Sequence, residues 1–343
     1  MSASRHPHSS VSLVSMETRR QRSLLLFVIL VVGSLLLLVY THTPFVTSFD
    51  APVVVEGRQR ARPVLTNGSQ PYICATIKGR IGNALFYYAA MLGLSHTNNM
   101  TLVLRDVSVL RHVLQRPPKE DEKFEELCQH ATRVTETTCQ SFDEGLTHLA
   151  RNDVYVIAAG SCLISWKYFE PIKRDLPELL AFKDSIVSEA RRIVGDLRRR
   201  WNTTLVGMHV RRDDHTGFMA YWKGHKPVTP DYLHRAMTYF RVLLGSVHFV
   251  VASDEREWCR QRLTQGVDDV TILTPRSAEM DMAVLSLTDH MIISVGTFGW
   301  WAGYLNPGVK TYMQDFVVPG SEFSGVFKSV SARDYFYPGW IPL

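Results

Sequence analysis

The second half of the chain alternates between short apolar runs and amphipathic stretches, and this alternation restricts the fold more than any other feature. The apolar runs have the length and composition of buried strands: TLVGMHV (204–210), VHFVVAS (247–253), VTIL (270–273), MIISV (291–295) and TYMQDF (311–316). The stretches between them follow helical spacing, and Thr229 is placed to cap a helix that begins at Pro230. Strands that alternate with helices predict a parallel sheet with right-handed crossovers.

The first half predicts a second unit of the same class, although its pattern is less regular. YICATI (72–77) predicts a strand, ALFYYAAMLGLS (84–95) predicts a helix, and VYVIAAG (154–160) predicts another strand. The polar stretch from 105 to 151 predicts helices and loops at the surface. We therefore expect an α/β protein with two facing Rossmann-like domains, at 71–200 and 201–343.

Residues 24–40, LLLFVILVVGSLLLLVY, contain no charged residue and predict a transmembrane helix. Four arginines precede this stretch, so the positive-inside rule keeps the tail at 1–23 in the cytosol and sends the remainder across the membrane. A cleaved signal peptide is the alternative, but no small-residue cleavage site follows Tyr40. The sequence therefore predicts a type II membrane protein with a signal-anchor and a stem at 41–70.

Sequons and cysteines agree with a location beyond the membrane. Asn67, Asn99 and Asn202 begin acceptor triplets for N-glycosylation. Five cysteines allow two disulfides and one free thiol, with the pairing left open, and the absence of CxxC spacing makes a structural zinc site improbable. The net charge of +5 is not gathered into a basic patch, so nucleic acid is not an expected partner.

Two glycine-containing turns lie between a predicted strand and a predicted helix, where parallel sheets bind their ligands. The first turn contains Gly79, Arg80, Gly82 and Asn83, and the second contains Thr297, Phe298 and Gly299. Glycine lets the backbone approach a ligand, and the N–H groups of a helix N-terminus can bind an anion. We expect Thr297 to cap its helix. A turn that serves only the fold is the alternative for the first motif.

A third turn, HVRRDD, follows the strand at 204–210 and contains His209, Arg211 and Arg212. Side chains alternate along a strand, so the two arginines should leave on opposite faces, one towards a cleft and one in support. Guanidinium groups bind phosphate in a bidentate manner and keep their charge. The alternative is a surface ion-pair cluster. Ser253 and Asp254, at the end of the next strand, place a carboxylate where a base or a ribose could bind.

Several catalytic patterns are missing from the sequence. It contains no HExxH, Walker A or GxSxG motif. Its adjacent acids, such as Asp213 and Asp214, do not form the DxD that would chelate a metal–nucleotide complex. We therefore expect no metal and no cofactor.

GRIGN, HVRRDD and VGTFGWWAGYL, in this order and at these separations, resemble motifs of the galactoside 2-α-L-fucosyltransferases. These are inverting, GDP-fucose-dependent glycosyltransferases of the Golgi membrane. The resemblance implies a fold of two facing Rossmann-like domains of the GT-B type and activity without a bound metal. It places His209, Arg211, Arg212 and the turn at 297–299 in the GDP-fucose site. It places Gly79, Arg80, Gly82 and Asn83 on the side of the sugar and the acceptor, a galactose-terminated glycan.

The implied chemistry is displacement of GDP by an acceptor hydroxyl, with an arginine stabilising the charge of the leaving group. Asp214 and His215 are the nearest candidates for a base. The family usually has glycine where this chain has Asp213, which adds a negative charge beside the arginines. Two alternatives stay open: a fucosyltransferase of another linkage, α-1,6 or O-linked to protein, and a Golgi glycan-binding homologue with weak or no catalysis.

Overall fold

A computed structural model of the chain describes residues 71–150, 153–212, 224, 226–321, 324 and 332–343. The predicted transmembrane helix at 24–40, the stem and Asn67 lie outside these residues. Among the helices that are described, none is long and apolar enough to cross a bilayer. Asn99 and Asn202 are both exposed, each in the left-handed position that ends a helix.

The strands of the described residues form two sheets. They are β1 (Tyr72–Thr76), β2 (Thr101–Arg105), β3 (Thr132–Val134), β4 (Tyr155–Ile157), β5 (Thr204–Val210), β6 (Val247–Ser253), β7 (Val270–Ile272), β8 (His290–Ile293), β9 (Lys310–Tyr312) and β10 (Ile341–Pro342). Neighbouring strands within both sheets are parallel. The predicted α/β class is therefore confirmed.

The helices cover the two sheets. They are α1 (Ile81–Asn98), α2 (Ser108–Val113), α3 (Phe124–Cys128), α4 (Leu176–Leu179), α5 (Asp184–Trp201), α6 (Pro230–Leu244), α7 (Arg256–Leu263), α8 (Ala278–Ser286), α9 (Thr297–Leu305) and α10 (Ala332–Tyr335). Short 3₁₀ turns lie at Glu144–Thr147, Trp166–Tyr168 and Glu170–Ile172. Helix α6 begins as predicted, because the Thr229 side chain accepts the N–H of Tyr232 and Pro230 occupies the first turn.

The first sheet has the strand order β2-β1-β4-β3. Two of these strands, β2 and β3, are additions to the strands that the sequence predicted. The turn after β1 is held against the turn after β4, where Lys78 Nζ donates to the carbonyl of Ala159 at 2.8 Å. Two disulfides lie in this half, Cys74–Cys128 and Cys139–Cys162, and Cys259 is a buried free thiol.

The second sheet has the order β10-β9-β8-β5-β6-β7. The chain runs outward from β5 through β6 to β7 and then crosses back to β8, so the strand order reverses between β5 and β8. In parallel sheets the crevice for a ligand opens at such a point, beyond the carboxyl ends of the strands. Arg211 marks this point, since its N–H donates to the Ser294 hydroxyl just after β8 at 3.1 Å.

Helices α1 and α9 pack against each other and join the two sheets through one aromatic core. The ring of Phe86 on α1 lies 4.5 Å from that of Trp300 and 5.2 Å from that of Trp301, and both tryptophans are fully buried. Phe169 stacks on Trp301 at 5.5 Å. The predicted boundary between residues 200 and 201 lies at the last residue of α5, just before β5, and the division into two domains stays a prediction.

Candidate active site

A cavity of about 470 Å³ lies at the carboxyl ends of β5 and β6, beside the point where the strand order reverses. The first half contributes Arg80, Ile81, Gly82, Asn83, Gln140 and Ile164 to its lining. The second half contributes His209, Arg211, Ala252, Ser253, Asp254, Arg256, Arg276, Ala278, Asp281, Val295, Gly296, Thr297, Phe298, Phe316 and Tyr335. Most of the predicted ligand-binding residues therefore share one cavity, whereas Gly79, Arg212 and Gly299 are not among those that line it.

The two adjacent arginines have different surroundings. Arg211 lines the cavity, where its Nη1 lies 3.2 Å from Oδ2 of Asp254. The Arg212 guanidinium turns to other groups: Nη1 donates to the carbonyl of Val228 at 2.8 Å and Nε donates to the Glu255 carboxylate at 3.2 Å. The same guanidinium stacks over the Trp258 ring at 4.0 Å from its centre. Arg211 is therefore the arginine in the cleft, and Arg212 packs against the protein.

Asp254 connects the two arginines. Its carboxylate pairs with the Arg211 side chain and also accepts the backbone N–H of Arg212 at 3.1 Å. Ser253 is buried, and its hydroxyl accepts the N–H of Glu255 at 3.0 Å. The contacts of Asp254 within the chain orient the Arg211 guanidinium, and its predicted role in binding a base or a ribose stays a prediction.

The N-termini of α1 and α9 meet at the cavity. The Thr297 hydroxyl donates to Oδ1 of Asn83 at 2.6 Å, across 214 residues of sequence. A Cβ on Gly82 would lie 2.6 Å from the backbone nitrogen of Phe298, so only glycine allows this approach. The first residues of both helices therefore line one cavity, and the N-terminal end of a helix favours a negatively charged ligand.

The expected role of Thr297 as a helix cap is wrong. Gly296 occupies the N-cap position with φ of 86°, a left-handed conformation that glycine adopts without strain, and no side chain caps the helix. Thr297 is the first helical residue, and its hydroxyl bonds to Asn83 instead.

His209 is buried beneath the cavity wall, with 5% of its surface exposed. Its ring packs against that of Phe298 at 4.8 Å, and Nδ1 lies 3.4 Å from the Ser294 hydroxyl. A Cβ on Gly299 would approach Nδ1 to 2.5 Å. Glycine at this position therefore makes room for the histidine and brings α9 close to β5.

Asp281, Arg256 and Arg276 line the cavity and were not among the predicted site residues. Asp281 is 8% exposed, and its Oδ2 lies 3.7 Å from Arg256 Nη2. Its Oδ1 is buried without a hydrogen-bond partner in the described part of the chain. Burial raises the pKa of this carboxyl. The only sequence signal was an acid, one of two, among the mostly apolar residues of AEMDMAVLS.

Gln140, Ile164, Phe316 and Tyr335 form an uncharged part of the cavity lining, and we call them the junction wall. They come from distant parts of the sequence and are not preceded by a recognisable motif. Their meeting depends on long-range contacts, so sequence reasoning had no means of finding them.

Asp213, Asp214 and His215 lie outside the described residues. The predicted catalytic role of Asp214 therefore stays a prediction. Within the part of the chain that is described, no three His, Cys, Asp or Glu side chains are grouped as metal ligands would be.

Comparison with known proteins identifies relatives for most of the chain. The family model described as glycosyl transferase family 11 matches residues 75–343. The human galactoside alpha-(1,2)-fucosyltransferase 1 is 35% identical over 187 residues, which cover 52% of this chain and 50% of that protein. The bovine galactoside 2-alpha-L-fucosyltransferase SEC1 is 34% identical over 185 residues, covering 52% and 49%. The chain thus spans about half the length of the curated relatives that it matches.

The solved structures to which the chain is similar are more distant. The fucosyltransferase NodZ from Bradyrhizobium has a TM-score of 0.48 and 14% sequence identity, over 70% of this chain and 93% of that chain. POFUT1 in complex with GDP has a TM-score of 0.45 and 12% identity, over 71% of this chain and 98% of that one.

Proposed function

This chain belongs to glycosyl transferase family 11, and on that premise we propose that it transfers L-fucose from GDP-fucose to the 2-hydroxyl of a galactoside. The single observation that carries the proposal is the cavity in which the Arg211 side chain and the N-termini of α1 and α9 converge. The human and bovine relatives are named for α-(1,2) transfer to galactosides, and that linkage is the one we propose here.

The diphosphate of the donor fits the positive part of the cavity. Arg211 supplies a guanidinium whose orientation is set by Asp254, and the N-terminus of α9 supplies backbone N–H groups. Both groups are in place before the reaction, so they stabilise the charge that grows on GDP as it leaves. We propose that this fixed positive charge takes the place of a metal ion, and that no cofactor takes part.

The guanine base fits beside Asp281. Guanine presents two adjacent N–H donors, at N1 and at the exocyclic N2, and a carboxylate accepts such a pair with both oxygens. The buried Oδ1 of Asp281 is an acceptor of this kind, and pairing with a ligand would offset its desolvation. Arg276, on the turn before α8, and Ala278, the first residue of α8, also line the cavity.

The transfer itself is a single displacement. The bond between fucose C1 and the β-phosphate oxygen breaks, and its electron pair leaves with GDP. The oxygen of the galactoside 2-hydroxyl forms the new bond to C1 from the opposite face and releases its proton to solvent. A β-linked donor therefore gives an α-linked fucoside. Asp214 and His215, the bases suggested by the sequence, lie outside the described residues.

We also propose that the chain is a type II protein of the Golgi membrane. The support is the charge-free stretch at 24–40 with arginines before it. Two disulfides agree with an oxidising compartment. Protease added to intact microsomes should leave the part after residue 70 protected, and its digestion without detergent would overturn this topology.

The activity is tested with the full chain in detergent, GDP-fucose and a panel of free and protein-linked galactosides, followed by determination of the product linkage by NMR. We expect an α-(1,2)-fucoside and one equivalent of GDP. Fucose at another hydroxyl of the sugar or on protein would favour a transferase of other linkage. Binding of galactoside without transfer would favour the catalytically inactive homologue.

A further inference from the structure

The junction wall consists of Gln140, Ile164, Phe316 and Tyr335. Beneath it, three segments of the chain meet at one buried group of polar contacts. At its centre Asp334, which is 8% exposed, accepts the backbone N–H of Phe142 at 3.1 Å and pairs with Lys167 Nζ at 2.5 Å. The Ser165 hydroxyl donates to the backbone carbonyl of Asp334 at 2.7 Å. Three segments that are distant in sequence are thereby fastened to one another.

Each fastened segment places a neighbouring residue in the cavity. Ser141, whose hydroxyl lies 3.5 Å from the Asp334 carboxylate, is preceded by Gln140. Ser165 is preceded by Ile164, and Asp334 is followed by Tyr335, whose ring lies 6.1 Å from that of Phe316. The wall is therefore a single structure, although its residues come from both halves of the chain.

A second set of contacts holds Gln140 and Ile164 in place. The disulfide Cys139–Cys162 joins the segments on which they lie. The buried carboxylate of Glu136 accepts the N–H groups of Cys162 and Leu163 at 2.8 and 2.9 Å, and accepts the Tyr168 hydroxyl at 3.0 Å. These contacts fix the backbone on both sides of the disulfide.

The backbone that they fix is strained. Gln140 has φ of 64° and Leu163 has φ of 51°, in the left-handed region that side chains other than those of Gly, Asn and Asp seldom adopt. Such conformations persist only where the surroundings impose them, and they are concentrated at ligand sites. Gln140 lines the cavity, and its Oε1 is buried and has no hydrogen-bond partner in the described part of the chain.

The chemistry of the junction wall differs from that of the rest of the cavity. The charged lining residues, Arg80, Arg211, Asp254, Arg256, Arg276 and Asp281, lie on other segments. The wall offers an amide, an aliphatic side chain and two aromatic rings. An uncharged, hydroxyl-bearing ligand with apolar faces fits this combination, because a few polar groups among apolar and aromatic side chains orient such a ligand. An anionic diphosphate does not fit this uncharged combination of side chains.

We propose that the junction wall is the galactoside subsite and that Gln140 Oε1 accepts a hydrogen bond from a hydroxyl of the acceptor sugar. This inference rests on the proposed fucose transfer for the identity of the sugar. Gln140 is then a binding residue for the acceptor, and Asp334 and the Cys139–Cys162 disulfide are positioning elements that act through it.

The test uses three substitutions at one position in the full chain. Gln140→Leu replaces the amide by methyl groups and so removes the acceptor oxygen. Gln140→Glu keeps an acceptor oxygen. Gln140→Asn tolerates the left-handed backbone better than glutamine does, which protects folding, but it withdraws the amide by one carbon. Gln261→Leu is the matched control, because Gln261 is an exposed residue of α7 outside the cavity.

Two binding constants and one kinetic constant are measured for each variant: methyl β-galactoside binding by NMR, GDP binding by calorimetry, and the KM for the acceptor. We expect Gln140→Leu and Gln140→Asn to weaken galactoside binding and raise the acceptor KM by about tenfold, since a buried partner is lost. GDP binding should stay within about twofold, Gln140→Glu should retain galactoside binding, and the control should match wild type.

The results separate this inference from the proposed function. Unchanged galactoside binding in Gln140→Leu and Gln140→Asn would overturn the subsite, as would a loss confined to GDP binding. If wild type binds galactoside through Gln140 but transfers no fucose, the subsite stands and the proposed reaction fails. If wild type binds no galactoside, the subsite is refuted whatever the donor chemistry.

Discussion

Replacing each of the two adjacent arginines by lysine should separate activity from stability. Arg212→Lys keeps a positive charge near Glu255 but loses the bond from Nη1 to the Val228 carbonyl and the flat stacking on Trp258. A charge-assisted hydrogen bond contributes about 1.5–3 kcal/mol, and a partly desolvated cation–π contact about 0.5–2 kcal/mol. Because lysine keeps part of the cation–π contact, we expect the free energy of unfolding to fall by roughly 2–4 kcal/mol.

For a protein of this size, that loss lowers the melting temperature by roughly 4–16 °C, at about 2–4 °C per kcal/mol. Arg211→Lys should behave in the opposite way. Its guanidinium lines the cavity in which we propose that GDP binds, so a lysine keeps the charge and loses the planar, two-pronged grip. By analogy with the removal of one oxyanion-hole donor, turnover should fall roughly a hundredfold or more.

The assay pairs kcat and KM for GDP-fucose with thermal unfolding of the same preparations, and Arg260→Lys on the exposed face of α7 serves as the control. The reasoning predicts a stable, nearly inactive Arg211→Lys variant and an active but less stable Arg212→Lys variant at temperatures below its transition. Near-normal turnover in Arg211→Lys would show that the pair is a structural ion cluster. Loss of turnover without loss of stability in Arg212→Lys would refute the assignment of catalysis to Arg211 and of stability to Arg212.

Three further outcomes are expected. Gly82→Ala should lower turnover at least tenfold, because its Cβ would overlap the backbone at Phe298 and push the two helix N-termini apart. Gly160→Ala is the control and should not lower turnover, because a Cβ at Gly160 would lie in open space. Equal kinetics in the two variants would contradict this packing. Transfer should survive EDTA, measured as released GDP, and activity that chelation abolishes and Mn²⁺ restores would refute the arginine mechanism. Burial raises the pKa of the Glu136 carboxyl to about 7 from 4.5, so its contribution to stability is present below about pH 4.5 and is lost as the pH rises through about 7. The melting temperature of wild type relative to Glu136→Gln should therefore fall across that interval, and a difference that is independent of pH would show that Glu136 does not titrate there.

The sequence was most informative where strands are long and buried. β5 and β6 follow the predicted runs residue for residue, since seven-residue runs of mostly apolar side chains bounded by turns leave few other arrangements. β2 follows α1 after a turn of only two residues, and β3 is three residues long at the edge of its sheet. The pattern of β2 therefore merges with that of the adjacent helix, and the pattern of β3 merges with the polar stretch from 105 to 151.

The candidate site was predictable to the extent that motifs are local. The alternation of side chains predicted that Arg211 and Arg212 would diverge, but which one faces the cleft depends on Trp258 and Val228, which are distant in sequence. Threonine commonly caps helices, yet Gly296, with its positive φ, occupies the cap position before Thr297. The Thr297 hydroxyl instead donates to Asn83, 214 residues away in the sequence. Long-range contacts of this kind leave no mark in a local pattern.

The aromatic core between α1 and α9 also has a consequence for motion. Trp300 and Trp301 are fully buried against Phe86 and Phe169. Exposing one tryptophan of about 150–250 Å² would cost roughly 4–6 kcal/mol at about 25 cal/mol per Å². The two sheets should therefore not swing apart as the enzyme cycles, and calorimetry should show them melting in a single cooperative transition.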